Sequence, residues 1–212
     1  MRQTIPASAP TALVPLATLD DLKADLAITD TSQDSRLNGI LLEASSMALA
    51  FIGRAIMRAD WRDLITVAPG QSPHSLVLGR WPVVAIKALS VAQELWSADQ
   101  LKSLNTDPDA GLIYPPDSSM TLWPPGEYVI TYTAGYAAPG GNDPVTVPPD
   151  IQRAVRQVAN SLWNSTGRDV LLKSETEQGV GSASWSSSAP GLGGMPQSSA
   201  DLLIRYRRKG PR

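Results

Sequence analysis

Leu37, Ile40, Leu41, Ala44, Met47, Ala48, Phe51, Ile52 and Ala55 recur at spacings of three and four, which puts them on one face of a helix. They predict a long helix over about residues 32–56, with a start signal at Thr31–Asp34. Ala44, Ser45, Ser46, Ala48 and Ala50 make it thin enough for close packing against a neighbour. A shorter helix over about 18–27 follows from Leu19, Leu22, Leu26 and Ala27, with Thr18 as N-cap and Asp21 in the Glu position of a capping box. Ile151, Ala154, Val155, Val158, Ala159, Leu162 and Trp163 predict a third over about 149–164. Pro148 and Pro149 suit its first turn, and Gly167 its stop. A last short helix, about 199–208, is expected behind a Ser198 or Ser199 cap, with Leu202, Leu203 and Tyr206 on one side.

Between the second and third helices the period changes from helical to alternating. Trp61–Val67, Ser75–Leu78, Val83–Val91 and Gly111–Tyr114 read as strands, and Glu127–Thr133 alternates most cleanly. Pro69-Gly70 and Ser72-Pro73 are turn signals, and residues 137–149 form a Pro/Gly loop. The fold class expected is α+β, a mainly helical bundle with a β-rich insertion at about 61–133. Residues 1–17, rich in Pro and Ala, read as an extended arm. Residues 168–198 read as a Ser/Gly-rich loop or hairpin, and 199–212 as a terminal helix with a basic tail. The main domain is then 18–167, and no internal repeat with a period of roughly 20–50 residues is present.

Composition narrows the chemistry. The 212 residues contain no cysteine, so disulfides and thiolate metal sites are excluded and an intracellular setting fits. The early apolar stretch is broken by Pro6, Pro10 and Pro15, unlike a secretory signal. No apolar run reaches the roughly 18 residues of a membrane span. Charge is uneven. Five of the 18 basic residues lie in 205–212, which leaves 13 against 20 acidic residues elsewhere, a net of −7. A body of that sign does not suit a protein that coats DNA with its folded surface, so only the tail could do so.

Catalytic residues are not found. The single histidine, His74, stands in a polar turn, and one His without Cys cannot build a zinc site. Asp107-Pro108-Asp109 lacks the further acids of a calcium loop. Gly179-Val180-Gly181 and Gly191–Gly194 lack the Lys-Ser/Thr and strand-to-helix context of a phosphate cradle. No enzyme activity, metal or cofactor is expected. Trp185 stands apart from the other tryptophans, isolated in a Ser-rich stretch, as an aromatic anchor would be.

The segments TLDDLKADLAI, AFIGRAIM, WPVVAIKALSV, GEYVITYTAGY, VPPDIQRAVRQVANSLW and LLIRYRR, in that order, resemble the head–tail connector (adaptor) proteins of long-tailed bacteriophages and related gene-transfer particles. Ile52 stands where that family usually has Thr before Gly-Arg, and the 137–147 and 182–199 stretches are longer than usual. The resemblance implies a helical bundle with a β-rich insertion. It also implies a ring of about twelve copies under the portal that extends the DNA channel and receives the next neck or tail protein. The chain would then be a virion structural protein of the neck, assembled in the host cytoplasm. Its partners would be itself, the portal protein, a stopper or tail-terminator protein, and genomic duplex DNA in the lumen.

On this reading Leu202, Leu203, Arg205, Tyr206, Arg207 and Arg208 form a docking peg for the portal, its arginines suited to carboxylates. Arg207, Arg208, Lys209 and Arg212 are candidates for DNA contact in the channel. Residues 173–186 are expected to form a hairpin that reaches a neighbour or tail-side protein through Lys173, Glu175, Glu177 and Trp185. Two other readings stand beside this one: a stopper or tail terminator, and a DNA-binding accessory protein that works through its basic C-terminus.

Overall fold

The computed structural model describes residues 1–9, 12–116, 122–141, 143–165, 174–177, 181–184 and 194–207, those of 174–184 as backbone only. The chain divides into two units, Met1–Ala12 with Ile56–Ala137, and Leu13–Ala55 with Ala138–Arg212. Elements are numbered along the chain.

The helical unit contains α1 (Leu19–Leu26), α2 (Asp34–Ile52), α4 (Pro149–Ser165) and α5 (Gln197–Leu203), the last followed by a 3-10 turn over Ile204–Tyr206. Thr18 caps α1 as expected, its Oγ1 accepting from Asp21 N at 3.1 Å. Leu37, Leu41, Ala44, Ala48 and Ile52 of α2 are buried, as are Ile151, Ala154, Val155, Val158 and Ala159 of α4. Ser45 is fully buried too, and satisfied. Its hydroxyl donates to Leu41 O at 2.7 Å and accepts from Leu16 N at 3.0 Å, tying the segment before α1 to α2. On α4, Arg156 faces Asp25 of α1 at 3.3 Å.

Three helix boundaries differ from expectation. α2 stops at Ile52 rather than near 56, because Gly53 takes a left-handed conformation (φ 66°) and its N–H closes on Leu49 O. Its start has no side-chain cap: Gln33 precedes it, while Thr31 lies a turn too early. α5 begins at Gln197 after Pro196, so Ser199 is inside the helix and buried, its hydroxyl on Gln157 Oε1 at 3.2 Å.

The β unit holds two sheets around one core. β1 (Arg2–Pro6), β2 (Ala59–Val67), β4 (Val83–Val91), β5 (Glu94–Leu95) and β8 (Gly126–Ala134) make an antiparallel sheet in the order β1-β2-β8-β4-β5. β3 (Leu76–Val77), β6 (Asn105–Asp107) and β7 (Leu112–Tyr114) make a smaller one in the order β3-β7-β6. Period-two burial is clear in β2: Trp61, Asp63, Ile65 and Val67 point inward while Arg62, Leu64 and Thr66 are exposed. Trp123 fills the centre, its indole N–H donating to Ile113 O at 3.1 Å and its ring edge-on to Tyr128 at 5.3 Å. A short helix, α3 (Ala98–Lys102), is closed by a Ser97–Gln100 capping box.

The α+β class holds. The strand-rich stretch is an insertion in sequence, yet it builds its own core and recruits the start of the chain. The arm expected at 1–17 is thus extended in its first residues as an edge strand: Arg2–Pro6 pairs with Ile65–Trp61.

Two ionisable groups of the β unit are displaced from their ordinary behaviour. Burial, then the Asp63 carboxylate, drives the Tyr132 phenol well above the usual tyrosine range. Asp63 is fully buried and accepts from Gly79 N at 2.6 Å. Asp60 is held below the usual carboxylate range by hydrogen bonds from Lys87 and then Thr133, the latter at 2.7 Å.

Candidate docking site

The C-terminal segment is the best-built candidate surface, and α4 positions it. Asp150 lies in the first turn of α4, where the helix N-terminus favours a carboxylate. Its Oδ1 and Oδ2 accept from the Tyr206 hydroxyl at 2.9 and 3.1 Å. The Arg205 guanidinium pairs with the same carboxylate and lies over the Tyr206 ring, 5.0 Å from its centre. Arg54, just beyond the Gly53 stop of α2, donates from Nε to Tyr206 O at 2.9 Å. Arg207 stands over the Phe51 ring at 5.2 Å. Charge-assisted bonds of this kind outweigh neutral ones, and here they fasten the segment to both α2 and α4.

The expected docking residues are therefore divided. Leu203 is fully buried and Leu202 partly so. Tyr206 is engaged by Asp150 and Arg54, and Arg205 and Arg207 are exposed. The outward apolar side chain is Ile204, 61% exposed. An apolar face of Leu202, Leu203 and Tyr206 is used within the unit because α5 and the 3-10 turn pack back onto α4. Arg208, Lys209 and Arg212 lie outside the described residues. So do Lys173 and Trp185, while Glu175 and Glu177 lie in β9 (Ser174–Glu177), which pairs antiparallel with β10 (Gly181–Ser184).

Asp150, Arg54 and Phe51 were missed as site residues. Their signals were present in the sequence: an acid in the first turn of a helix, and an arginine and an aromatic flanking a helix-ending glycine. Among the described residues no group of three or more His, Asp or Glu could hold a metal, and no helix is long and apolar enough to cross a membrane. The surface offers a hydrophobic residue between guanidinium groups, which is a recognition chemistry.

Residues 16–94 match the family of Phage gp6-like head-tail connector proteins. That match makes this stretch, a little over a third of the chain, similar to head–tail connectors. A chain from the neck of an empty GTA particle, computed with C6 symmetry, aligns over 99% of this chain and 97% of its own, with 18% identity and a TM-score of 0.50. Chains from the virion of a native gene transfer agent (GTA) particle and from the native GTA neck with C12 symmetry align at 17% identity and 0.49. No curated protein matches. The connector match takes in α1, α2 and β2 to β4, and the docking segment lies outside it.

Proposed function

We propose that this chain is a structural, non-enzymatic head–tail adaptor of a phage-like particle. It assembles as a ring in the neck, between the portal and a stopper or tail-terminator protein, with duplex DNA passing through the lumen. The connector match at residues 16–94 carries this reading. The likeness in fold to a GTA neck chain along nearly the whole length supports it.

The C-terminal segment docks on the portal through Ile204, Arg205, Arg207 and Arg208, with Leu203 and Tyr206 as internal anchors that hold it out. An exposed isoleucine among arginines suits an apolar pocket rimmed by carboxylates. Lys173, Glu175, Glu177 and Trp185 face a neighbour or the tail-side protein, and Arg207, Arg208, Lys209 and Arg212 the DNA or the portal.

Mass by light scattering, alone and with the portal protein of the same particle, tests this. Full-length protein is expected to form a ring-sized complex, and Ile204→Asp in a chain ending at Arg207 is expected to lose it. That variant spares Leu203 and the Asp150–Tyr206 bond, so a loss reports on docking. A full-length chain that ignores the portal overturns the reading.

A further inference from the structure

We propose that β1 is exchanged between neighbouring copies, so that residues Arg2–Pro6 of each chain complete the β2 edge of the next. This rests on the ring reading above. Its observations concern the arm and its seat.

The seat is specific. Thr4 packs so closely on Gly79 that a Cβ there would overlap the threonine side chain. Arg2 donates to Val77 O and Leu78 O at 3.0 and 3.1 Å. Backbone bonds bracket the strand, Thr66 N to Met1 O at 2.9 Å and Ala7 N to Asp60 O at 2.8 Å. The arm's shape is thus matched to the β2 edge whichever chain supplies it.

The arm's hold on its own chain is weak. None of its five residues is buried: Thr4 and Ile5 are half-covered and the rest exposed. An edge strand with so little apolar burial opens far more easily than the core. Closing on the same chain or on a neighbour makes identical contacts, so effective concentration decides between them.

The tether permits the neighbour in a ring. Leu16, bonded to Ser45, is the next fixed point. Residues 8–15 between them include Pro10 and Pro15, and eight residues of proline-stiffened chain reach about 25 Å. That reach is enough for the arm to meet the seat of an adjoining copy in a ring.

The absence of cysteine makes the test clean. Gln3 and Leu64 are Cα partners, both exposed on the outer face of the sheet, so Gln3→Cys and Leu64→Cys leave the core untouched. Single-cysteine chains are mixed in equal amounts, assembled with portal, and treated with a short bismaleimide. Exchange predicts covalent dimers in denaturing gels, and the double variant predicts a ladder of multimers from rings. Rings whose double variant gives only internally linked monomer, with no dimer from the mixture, overturn exchange and leave the ring reading standing. A chain that makes no ring overturns both.

Discussion

Gly135→Ala puts the packing of the β unit to a quantitative test. Gly135, the residue just after β8, has φ 109°, and its N–H donates to Pro82 O at 2.8 Å. A Cβ there would fall on Met57 O, 2.6 Å from Met57 C and 2.8 Å from Arg58 N. These are backbone atoms at the entrance to β2, and Arg58 N is fixed to Tyr136 O at 2.9 Å, so neither side can yield cheaply. The left-handed conformation alone costs a non-glycine residue about 1–2 kcal/mol, and overpacking adds about 1–3 kcal/mol. Gly70, at φ 82° with nothing within 4 Å of its virtual Cβ, is the matched control and carries only the first cost. Urea unfolding followed by tryptophan fluorescence should place Gly135→Ala about 1–3 kcal/mol below Gly70→Ala, near 1 M in midpoint for a typical slope. Equal destabilisation within about 0.5 kcal/mol would refute the close-approach argument.

Tyr132 supplies a pH signature. A phenol whose folded pKa is raised adds stability that is complete below its unfolded value, about 10, and is lost as pH rises beyond it. Melting temperature should therefore fall more steeply above pH 10 in the native chain than in Tyr132→Phe; parallel curves would count against it. For Asp60 the sign reverses, because its folded pKa is lowered: the stability exists above about pH 4 and disappears on acidification. Lys87→Met should flatten that acid limb, as read by the same melts from pH 5 to 2. In the helical unit, Leu203→Ala should cost about 2–4 kcal/mol in urea unfolding, while Ile204→Ala stays within about 0.5 kcal/mol.

The amphipathic elements were legible because their patterns follow from burial. β4 was bounded as found, Val83–Val91, and α4 came within a residue at its end. β1 escaped notice because an edge strand with no buried side chain leaves no hydrophobic alternation to read. α3 escaped although its Ser97-Ala-Asp-Gln100 capping box was in plain view, since a single turn has no period. The C-terminal face was assigned outward for a different reason. Leu202, Leu203 and Tyr206 form an apolar stripe, and a stripe says that something covers it without saying what. The structure supplies α4 as that cover, through a carboxylate on Asp150 that sequence reasoning had no cause to connect with Tyr206.

The polypeptide passes between its two units three times, at Ala12–Leu13, Ala55–Ile56 and Ala137–Ala138. Neither unit is a continuous segment, so no single cut yields two self-sufficient halves, and ribosomal synthesis finishes the strand-rich unit before α4 has emerged to complete the helical one. A tension drawn across the chain is likewise divided among three covalent links instead of one. For the neck adaptor proposed above, that interleaving would be a mechanical safeguard.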